Sequence, residues 1–340
     1  MLNFKRIYPT MEQWGDMLEQ YPDRTLFQSG AWLRFLESTQ HGELVFAALQ
    51  EGNSILGLFV GIIIRRLGVR ILGSPFPGWT TSYMGFVLRP QVSRLDALNA
   101  LRVFAFRDLK CLHLELMDRR IDARTLGDSY GVRIYHGFEI NLRADEEQLF
   151  SNMAPPCRRC IRKAMRCGIV VEEASDAEFV RDYYTQLEDV FAKQALTPTY
   201  GIDRVSAMVR HLHSTGNLLL LRAFDADRHC IATGIFPASH DRAYFWGGAS
   251  WRTFQHLRPN EILMWYAIRY WKKRGIQFFD MGGAGEYKRK YGGYEISVPW
   301  LRVSRHPILS VLRGGAMAIA KSRQRWSHSW QSINASASGA

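Results

Sequence analysis

The sequence contains no uninterrupted apolar run long enough to cross a membrane. A spanning helix needs about 18 to 20 consecutive apolar residues, and no stretch of the chain reaches that length. The first ten residues, M-L-N-F-K-R-I-Y-P-T, also lack the apolar region of a secretory signal peptide. We therefore expect a cytoplasmic protein.

Cysteine is scarce and odd in number. Five cysteines in 340 residues argue against a disulfide framework and agree with a reducing compartment. Cys157 and Cys160 form a C-x-x-C pair, but no second pair or histidine pair follows. On a helix the two would share an apolar stripe with Ile161, Ala164 and Cys167, so the pattern favours core packing and we expect no metal site.

Two further catalytic motifs are missing. No G-x-S-x-G occurs, which argues against a serine hydrolase. Gly282-x-x-Gly285 lacks the remaining glycine and the following helix of a dinucleotide-binding fold.

Negative charge is sparse along three segments, and this is more informative than the net charge of +12. Residues 151–167 carry +5, residues 302–325 carry +6 and residues 266–294 carry +5, which leaves the rest of the chain at −4. Such clustering favours a polyanionic partner such as nucleic acid, a nucleotide diphosphate, coenzyme A or an anionic membrane. A merely soluble basic surface is the alternative.

The length of the chain and its predicted helices and strands indicate an α/β fold in two halves. A chain of this length exceeds what one hydrophobic core usually covers. Each half shows helices among short strands, and we expect each to form its own mixed sheet. The predicted strands of the first half are 43–49, 54–64, 83–88, 112–116 and 132–142, and those of the second are 169–173, 218–224, 230–236, 243–248 and 276–279.

The chain is predicted to divide at a basic linker. We expect an N-terminal domain at 1–144, a basic linker helix at 145–168, a C-terminal domain at 169–305 and a partly disordered basic tail at 306–340. The tail has an apolar face over 308–319, for which docking on the protein or on an anionic membrane are both open. The cleft between the two domains is the expected place of the site.

The working centre is predicted in the stretch from Gly275 to Tyr294. An apolar run reads as a buried strand that ends at Asp280, and Gly282, Gly283 and Gly285 follow directly. These glycines permit backbone conformations, or the approach of a ligand, that a Cβ would hinder. The cations of the segment 286–290 lie next to this loop. A plain turn followed by a solvated charge run is the alternative.

The order F-D-M-G-G, Y-K and Y-G-G in this stretch resembles the C-terminal signature of the FemAB/FemX family. The segments F-Q-S-G-A-W at 27–32 and C-R-R-C-I-R-K-A at 157–164 extend the resemblance over nearly the whole chain. The family consists of bacterial acyl- and aminoacyltransferases with two tandem domains of the GNAT acetyltransferase type. The resemblance thus implies two GNAT-like domains and transfer of an acyl or aminoacyl group from a carrier to an amine of a cell-envelope glycan or peptidoglycan-type precursor.

The donor is the open point at this stage. Many acetyl-CoA users hold the pyrophosphate on a glycine-rich loop that opens a helix, but the corresponding segment here, 251–260, contains no glycine. A helix N-terminus with Arg252 and Arg258 nearby still favours anions. Acyl-CoA or aminoacyl-tRNA is therefore expected as co-substrate, with no permanently bound cofactor.

Residue roles follow from the resemblance. It implies that Lys288 stabilises charge at the donor end or on the tetrahedral intermediate, with Tyr287 beside it, and that Asp280 accepts a hydrogen bond or proton from the attacking ammonium; an anchor for the glycine loop is the alternative role of Asp280. The residues predicted to bind substrate or phosphate are Gln28, Trp32, Arg34, Arg158, Arg159, Arg162, Arg204, Trp246, Arg258, Asn260, Gly282, Gly283 and Arg289.

The expected partners are the carrier-bound donor and an amine-bearing envelope precursor, with no DNA. Peripheral contact with the inner face of an anionic cytoplasmic membrane is left open. The alternative function is a non-catalytic protein with a degenerate GNAT fold that binds RNA or an anionic membrane.

Overall fold

The computed structural model describes residues 2–306 except 67, 79, 128, 193–195 and 284. The predicted tail therefore lies outside the described residues, apart from His306. The elements of the first half are β1 (Asn3–Ile7), α1 (Met11–Glu19), α2 (Gly30–Gln40), β2 (Glu43–Glu51), β3 (Ser54–Arg66), β4 (Val69–Ser74), β5 (Phe86–Leu88), α3 (Arg94–Val103), β6 (His113–Met117) and β7 (Gly131–Asn141).

The second half follows the two helices of the predicted linker. Its elements, with those helices first, are α4 (Glu146–Asn152), α5 (Pro155–Arg166), β8 (Val170–Glu173), α6 (Glu178–Ala192), α7 (Ile202–Leu212), β9 (Leu218–Phe224), β10 (Cys230–Ser239), β11 (Arg242–Tyr244), β12 (Gly247–Ser250), α8 (Pro259–Lys273), β13 (Phe278–Gly283) and β14 (Tyr294–Ser304).

Local sequence signals account for several of these elements. Ser29 caps α2, because its side chain accepts a hydrogen bond from the backbone N–H of Trp32. Helix α5 begins at Pro155, where proline is tolerated. It buries Cys157, Ile161 and Ala164, as the apolar stripe predicted.

The strands follow one another in a single mixed sheet, in the order β1-β2-β3-β4-β6-β14-β7-β13-β11-β10-β9-β8. Strand β14, the last strand among the described residues, lies antiparallel between β6 and β7 of the first half. Strand β7 in turn pairs with β13 of the second half. The α/β class is confirmed, but the expectation of two separate sheets is wrong, because the halves share strands at their boundary.

The predicted strand 243–248 is also corrected. Strand β11 ends at Tyr244 and β12 begins at Gly247, and both pair with β10. At the break, the N–H of Phe245 bonds to the carbonyl of Asp280, whereas that of Trp246 bonds back to Ile235. The side chains of Phe245 and Trp246 are thereby placed beside the end of β13.

Three apolar clusters occur among the described residues, and all three contain residues of both halves. The first contains Phe27 from the first half and Tyr244 from the second. The second lies under α5 and α8 and combines Phe138 of β7 with Phe279 of β13. The third lies under α3 and includes Leu301 of β14. The end of β13 is therefore held by a core common to both halves.

Candidate active site

Asp280 lies near the middle of the sheet and is almost fully enclosed. One carboxylate oxygen, Oδ1, accepts the backbone N–H of Gly282 at 2.7 Å. The other, Oδ2, accepts the hydroxyl of Tyr83, from the first half, at 2.9 Å. Burial raises the pKa of Asp280, although both hydrogen bonds act in the opposite direction. A carboxyl with a raised pKa is suited to accept a proton near neutral pH.

A buried ionic network lies beside Asp280. Glu139, its register partner on β7, accepts bonds from Arg119 at 2.7 and 3.1 Å and from Arg242 at 2.8 Å. The Tyr294 hydroxyl completes its contacts. Burial alone would raise the pKa of Glu139, but the two guanidinium groups hold it at about 2. Glu139 is therefore ionised, and Arg119 also donates to the Tyr83 hydroxyl at 3.2 Å.

Lys288 reaches the same glycine loop from the short 3₁₀ turn Glu286–Tyr291. Its Nζ donates to the carbonyl of Gly283 at 2.8 Å and lies 5.6 Å from the ring centre of Phe245. Burial lowers the pKa of Lys288, and the charge of Asp280 partly offsets this. Gly282 has φ of 71°, and a Cβ there would lie 3.6 Å from Lys288 Nζ. The glycine keeps the backbone close to both ionisable groups.

Two cavities meet at this loop. One, of about 210 Å³, is lined by Asp280, and the other, of about 400 Å³, is lined by Lys288. They share five lining residues, three from the first half and two from the second: Gly78, Thr81, Ser82, Gly282 and Gly283. The glycine loop therefore separates two spaces that approach it from different directions.

A third cavity, of about 250 Å³, lies between the strand break and the start of α8. Its wall is mostly apolar and includes Phe245, which also lines the cavity at Lys288. At the start of α8, Arg258 adopts a left-handed φ of 64° and the Glu261 carboxylate pairs with Lys290 at 2.7 Å. A carboxylate in this first turn opposes binding of a second anion there.

The structure brings several predicted residues together. Lys288, Gly282, Gly283 and Trp246 line the cavity of about 400 Å³. Among the described residues, the enclosed indole Nε1 of Trp246 has no hydrogen-bond partner.

Two further predicted residues lie at the third cavity. Tyr287 and Asn260 line it, with Tyr287 largely exposed and the Asn260 amide bonded to Ser250. These two residues are therefore placed on the α8 side of the glycine loop.

Two predicted residues support the site from behind. Trp32 donates from Nε1 to Thr81 at 3.1 Å, and Gln28 donates to the carbonyl of Met84 at 2.7 Å. Both side chains are enclosed. They brace the segment that carries Tyr83, and their assignment as binding residues stays a prediction.

The arginines predicted to bind phosphate do not line the cavities at Asp280 and Lys288. Arg204 packs over Tyr200, whose ring contacts Trp246. Arg289 pairs with Glu286 and Glu295. The remaining cations lie on exposed helix surfaces or at a helix start, with Arg158 half-buried: Arg34, Arg158, Arg159, Arg162 and Arg258. Their phosphate-binding roles stay predictions.

Sequence reasoning missed the side chains that surround Asp280. They come from separate elements and share no local motif: Tyr83, Arg119, Glu139, Arg242 and Tyr294. A charged residue inside an otherwise apolar strand, such as Glu139 in β7, is the one signal that could have found them.

One group of potential metal ligands occurs among the described residues. The ligand atoms of Asp225, Asp227 and His229 lie within 4.8 Å of one another on a surface turn. The Asp225 carboxylate already accepts the backbone N–H groups of the other two, and the group is remote in sequence from the glycine loop.

Comparison with known proteins agrees with this geometry. Residues 153–289 match the family model described as an acetyltransferase (GNAT) domain. The structure is similar to that of FemX, with a TM-score of 0.69 and 12% identity over 90% of this chain and 99% of that one. The sequence matches none of the curated proteins.

Two other solved structures are similar over comparable spans. L-PGS from Bacillus licheniformis has a TM-score of 0.54 and 12% identity, covering 89% of this chain and 95% of that one. A tandem GNAT protein from the clavulanic acid biosynthesis pathway has a TM-score of 0.52 and 12% identity, covering 90% and 99%.

These likenesses define the class. The chain is a mixed α/β protein with a FemX-like tandem GNAT fold, the fold that the sequence resemblance implied. Within the described residues, no helix is both long and apolar enough to cross a bilayer.

Proposed function

We propose that the protein is an N-acyltransferase that moves an acyl or aminoacyl group from a carrier to an amine of a cell-envelope glycan or peptidoglycan-type precursor. One observation carries this proposal. Asp280 and Lys288 line different cavities, and these cavities meet at Gly282 and Gly283. Such an arrangement gives two substrates separate approaches to one reacting point.

The two ionisable groups have complementary tasks. The acceptor arrives as an ammonium and must lose a proton before its nitrogen can attack. Asp280, whose pKa is raised by burial, accepts that proton when its carboxyl is in the ionised form. As the C–N bond forms, negative charge develops on the carbonyl oxygen, and the Lys288 ammonium stabilises it. The carrier's C–S or C–O bond then breaks, the nitrogen gives its second proton to the leaving group, and Asp280 releases the first proton to solvent.

The wall of the cavity at Lys288 supports a polar, ring-containing substrate. The hydroxyls of Thr81, Ser82 and Thr199 line it together with the aromatic rings of Phe245 and Trp246. The enclosed Trp246 N–H can donate to a substrate oxygen.

Two features bear on the carrier. The segment before α8 has no glycine, and Glu261 occupies the first turn of α8, which disfavours a coenzyme A pyrophosphate there. Helix α5 presents exposed cations, which favour a polyanion such as aminoacyl-tRNA. We also propose that the protein acts at the inner face of the cytoplasmic membrane.

The first test separates the enzyme from a binding protein. Lys288→Ala should lower transfer by about 100- to 1,000-fold, because a donor to the developing oxyanion is removed. Lys272→Ala is the matched control, since Lys272 is a half-buried lysine that, like Lys288, donates to a backbone carbonyl, that of Leu142 at 3.0 Å. Tight RNA binding with no transfer from any acyl-CoA or aminoacyl-tRNA would replace the proposal with the non-catalytic alternative.

A second test identifies the carrier: the wild-type protein is titrated with charged tRNA and with acetyl-CoA at two salt concentrations. A protein that contacts many RNA phosphates loses affinity steeply as salt rises, whereas a coenzyme with few charges gives a shallow slope. Steep loss for charged tRNA indicates the aminoacyl carrier. Tight acetyl-CoA binding that salt does not change, without tRNA binding, indicates acyl-CoA.

A further inference from the structure

A second concave site lies on the first half, away from the glycine loop. It is a cavity of about 650 Å³ between β1 and the π-helical turn Phe104–Asp108. It shares no lining residue with the three cavities around Asp280 and Lys288. Its occupant is therefore separate from the proposed transfer reaction.

The charge of this cavity is strongly positive. Its lining contains one acid, Asp108, against five cations: Lys5, Arg6, Arg70, Arg107 and Lys110. Glu43 pairs with Arg6 at 2.8 Å and with Arg70 at 3.6 Å. An excess of three positive charges remains when both carboxylates are counted. A concentrated excess of this kind attracts a polyvalent anion.

Individual groups in the cavity also point to an anion. The enclosed Nε of Arg6 has no hydrogen-bond partner among the described residues, which leaves a guanidinium donor to satisfy. Lys110 has a left-handed φ of 55°, two residues after the end of the π-helical turn. Strained backbone and π-helical turns both occur preferentially at functional sites.

An apolar groove continues from the basic cavity. It has a volume of about 490 Å³, and its wall includes Leu2, Phe4, Ala100 and Val103. The two spaces share Phe4 and Phe104 among their lining residues. Val103 is 48% exposed, so an apolar surface stands open beside the cations. Asp96 and Asn99 are the polar groups of this groove away from the cations.

We propose that this composite site binds a single molecule with a phosphate or diphosphate head and a hydrocarbon chain. The head lies among Lys5, Arg6 and Lys110, where charge-assisted hydrogen bonds hold phosphate oxygens. The chain lies along Phe4 and Val103, where each buried methylene tightens binding by about fourfold.

Calorimetric titration of the full chain with dodecyl phosphate, below its micelle-forming concentration, and with inorganic phosphate tests the proposal. Dodecyl phosphate should bind at least about tenfold more tightly, since burial of two methylenes suffices for this difference. Equal affinities would overturn the proposal, as would absence of saturable binding of either probe.

Variants assign the two parts of the site. Lys5→Glu with Lys110→Glu should weaken dodecyl phosphate binding by about tenfold or more, and the uncharged Val103→Asn should weaken dodecyl phosphate but not inorganic phosphate. The control is Arg181→Glu with Lys273→Glu, which makes the same charge change at exposed positions elsewhere. All variants are checked for native circular dichroism. Equal loss in the control, or wild-type binding in the first variant, contradicts the assignment.

Vesicles distinguish a lipid molecule from a bilayer surface. If the protein sediments with phosphatidylglycerol vesicles but shows no saturable binding of dodecyl phosphate, the charge serves a membrane surface and the single-molecule site is wrong. Transfer activity is a separate readout, because Lys288→Ala should leave dodecyl phosphate binding intact.

Discussion

Asp280 and Glu139 are buried carboxyls on adjacent strands, yet their pKa values move in opposite directions. Two guanidinium groups contact Glu139 and lower its pKa, whereas the direct partners of Asp280 are the neutral donors Tyr83 and Gly282. Burial therefore dominates at Asp280 and raises its pKa. Two carboxyls whose pKa values are shifted in opposite directions are suited to different tasks, one as proton acceptor and the other as fixed counter-ion.

The raised pKa of Asp280 also makes the stability of the folded protein depend on pH. The unfolded chain releases the Asp280 proton at lower pH than the folded chain does. As pH rises from the ordinary carboxyl range through the raised pKa, the free energy of unfolding falls. Ionised Asp280 thus costs stability at the pH where it can act as a base, a common property of active sites.

Tyr83 is the residue whose replacement tests this arrangement. Its hydroxyl donates to Asp280 at 2.9 Å and so lowers the carboxyl pKa. In Tyr83→Phe the pKa of Asp280 rises further, and the acidic limb of the pH–activity profile moves to higher pH. A hydrogen bond to a charged group contributes about 1.5–3 kcal/mol, so activity on that limb should fall by about tenfold or more. The measurement is kcat/KM against pH.

Tyr130→Phe is the control for this experiment, because Tyr130 is also buried and its hydroxyl contacts Asn99 at 3.4 Å, within the apolar cluster under α3. Its pH profile should coincide with that of the wild type. A profile for Tyr83→Phe that drops equally at every pH would indicate a merely structural tyrosine.

At the scale of elements, the sequence predicted what neighbouring residues decide. The β2–β3 hairpin, the Ser29 cap and the apolar stripe of α5 all depend on residues a few positions apart. The glycine segment at the end of β13 was found for the same reason, since Gly282, with its left-handed φ of 71°, lies within a short run of glycines.

What the sequence did not predict depends on remote partners. Strand β14 was missed because its pattern includes Pro299, which is uncommon within a sheet, and because its neighbours β6 and β7 precede it by more than 150 residues. The apolar sequence at 243–248 is continuous, so it predicted one strand and not the break at Phe245. The position of the break is decided by pairing with β10 and β13. The network around Glu139 escaped notice because its members come from several elements.

The position of β14 gives a prediction at this scale. Trp300 is almost fully enclosed between β6 and β7, and its Nε1 donates to Glu115 at 3.1 Å. Trp300→Ala should lower the free energy of unfolding by about 3–5 kcal/mol. Urea titration followed by far-UV circular dichroism measures the loss. Ile134→Ala, at a partly exposed position on the neighbouring strand, should cost less than about 1.5 kcal/mol. Equal losses in the two variants would mean that β14 is peripheral to stability.

At the scale of the whole molecule, the shared strands decide how the halves depend on each other. A chain with two independent domains unfolds in more than one step. Here β14 belongs by sequence to the second half but completes the sheet of the first, and β7 pairs with β13. The apolar cluster that contains Phe27 and Tyr244 also crosses the boundary. Neither half can lose its core without exposing the other's.

We therefore expect one cooperative unfolding transition for both halves. Hydrogen exchange at increasing urea reports each half separately, through the backbone amides of β4 in the first and β9 in the second. Both sets should become exchangeable with the same dependence on urea, because a single opening exposes them. Trp300→Ala should lower the protection of β9 as much as that of β4, although the strand partners of Trp300 are Met117 and Arg133 of the first half. Protection lost in β4 while β9 stays native would show that the halves unfold independently despite the shared strands.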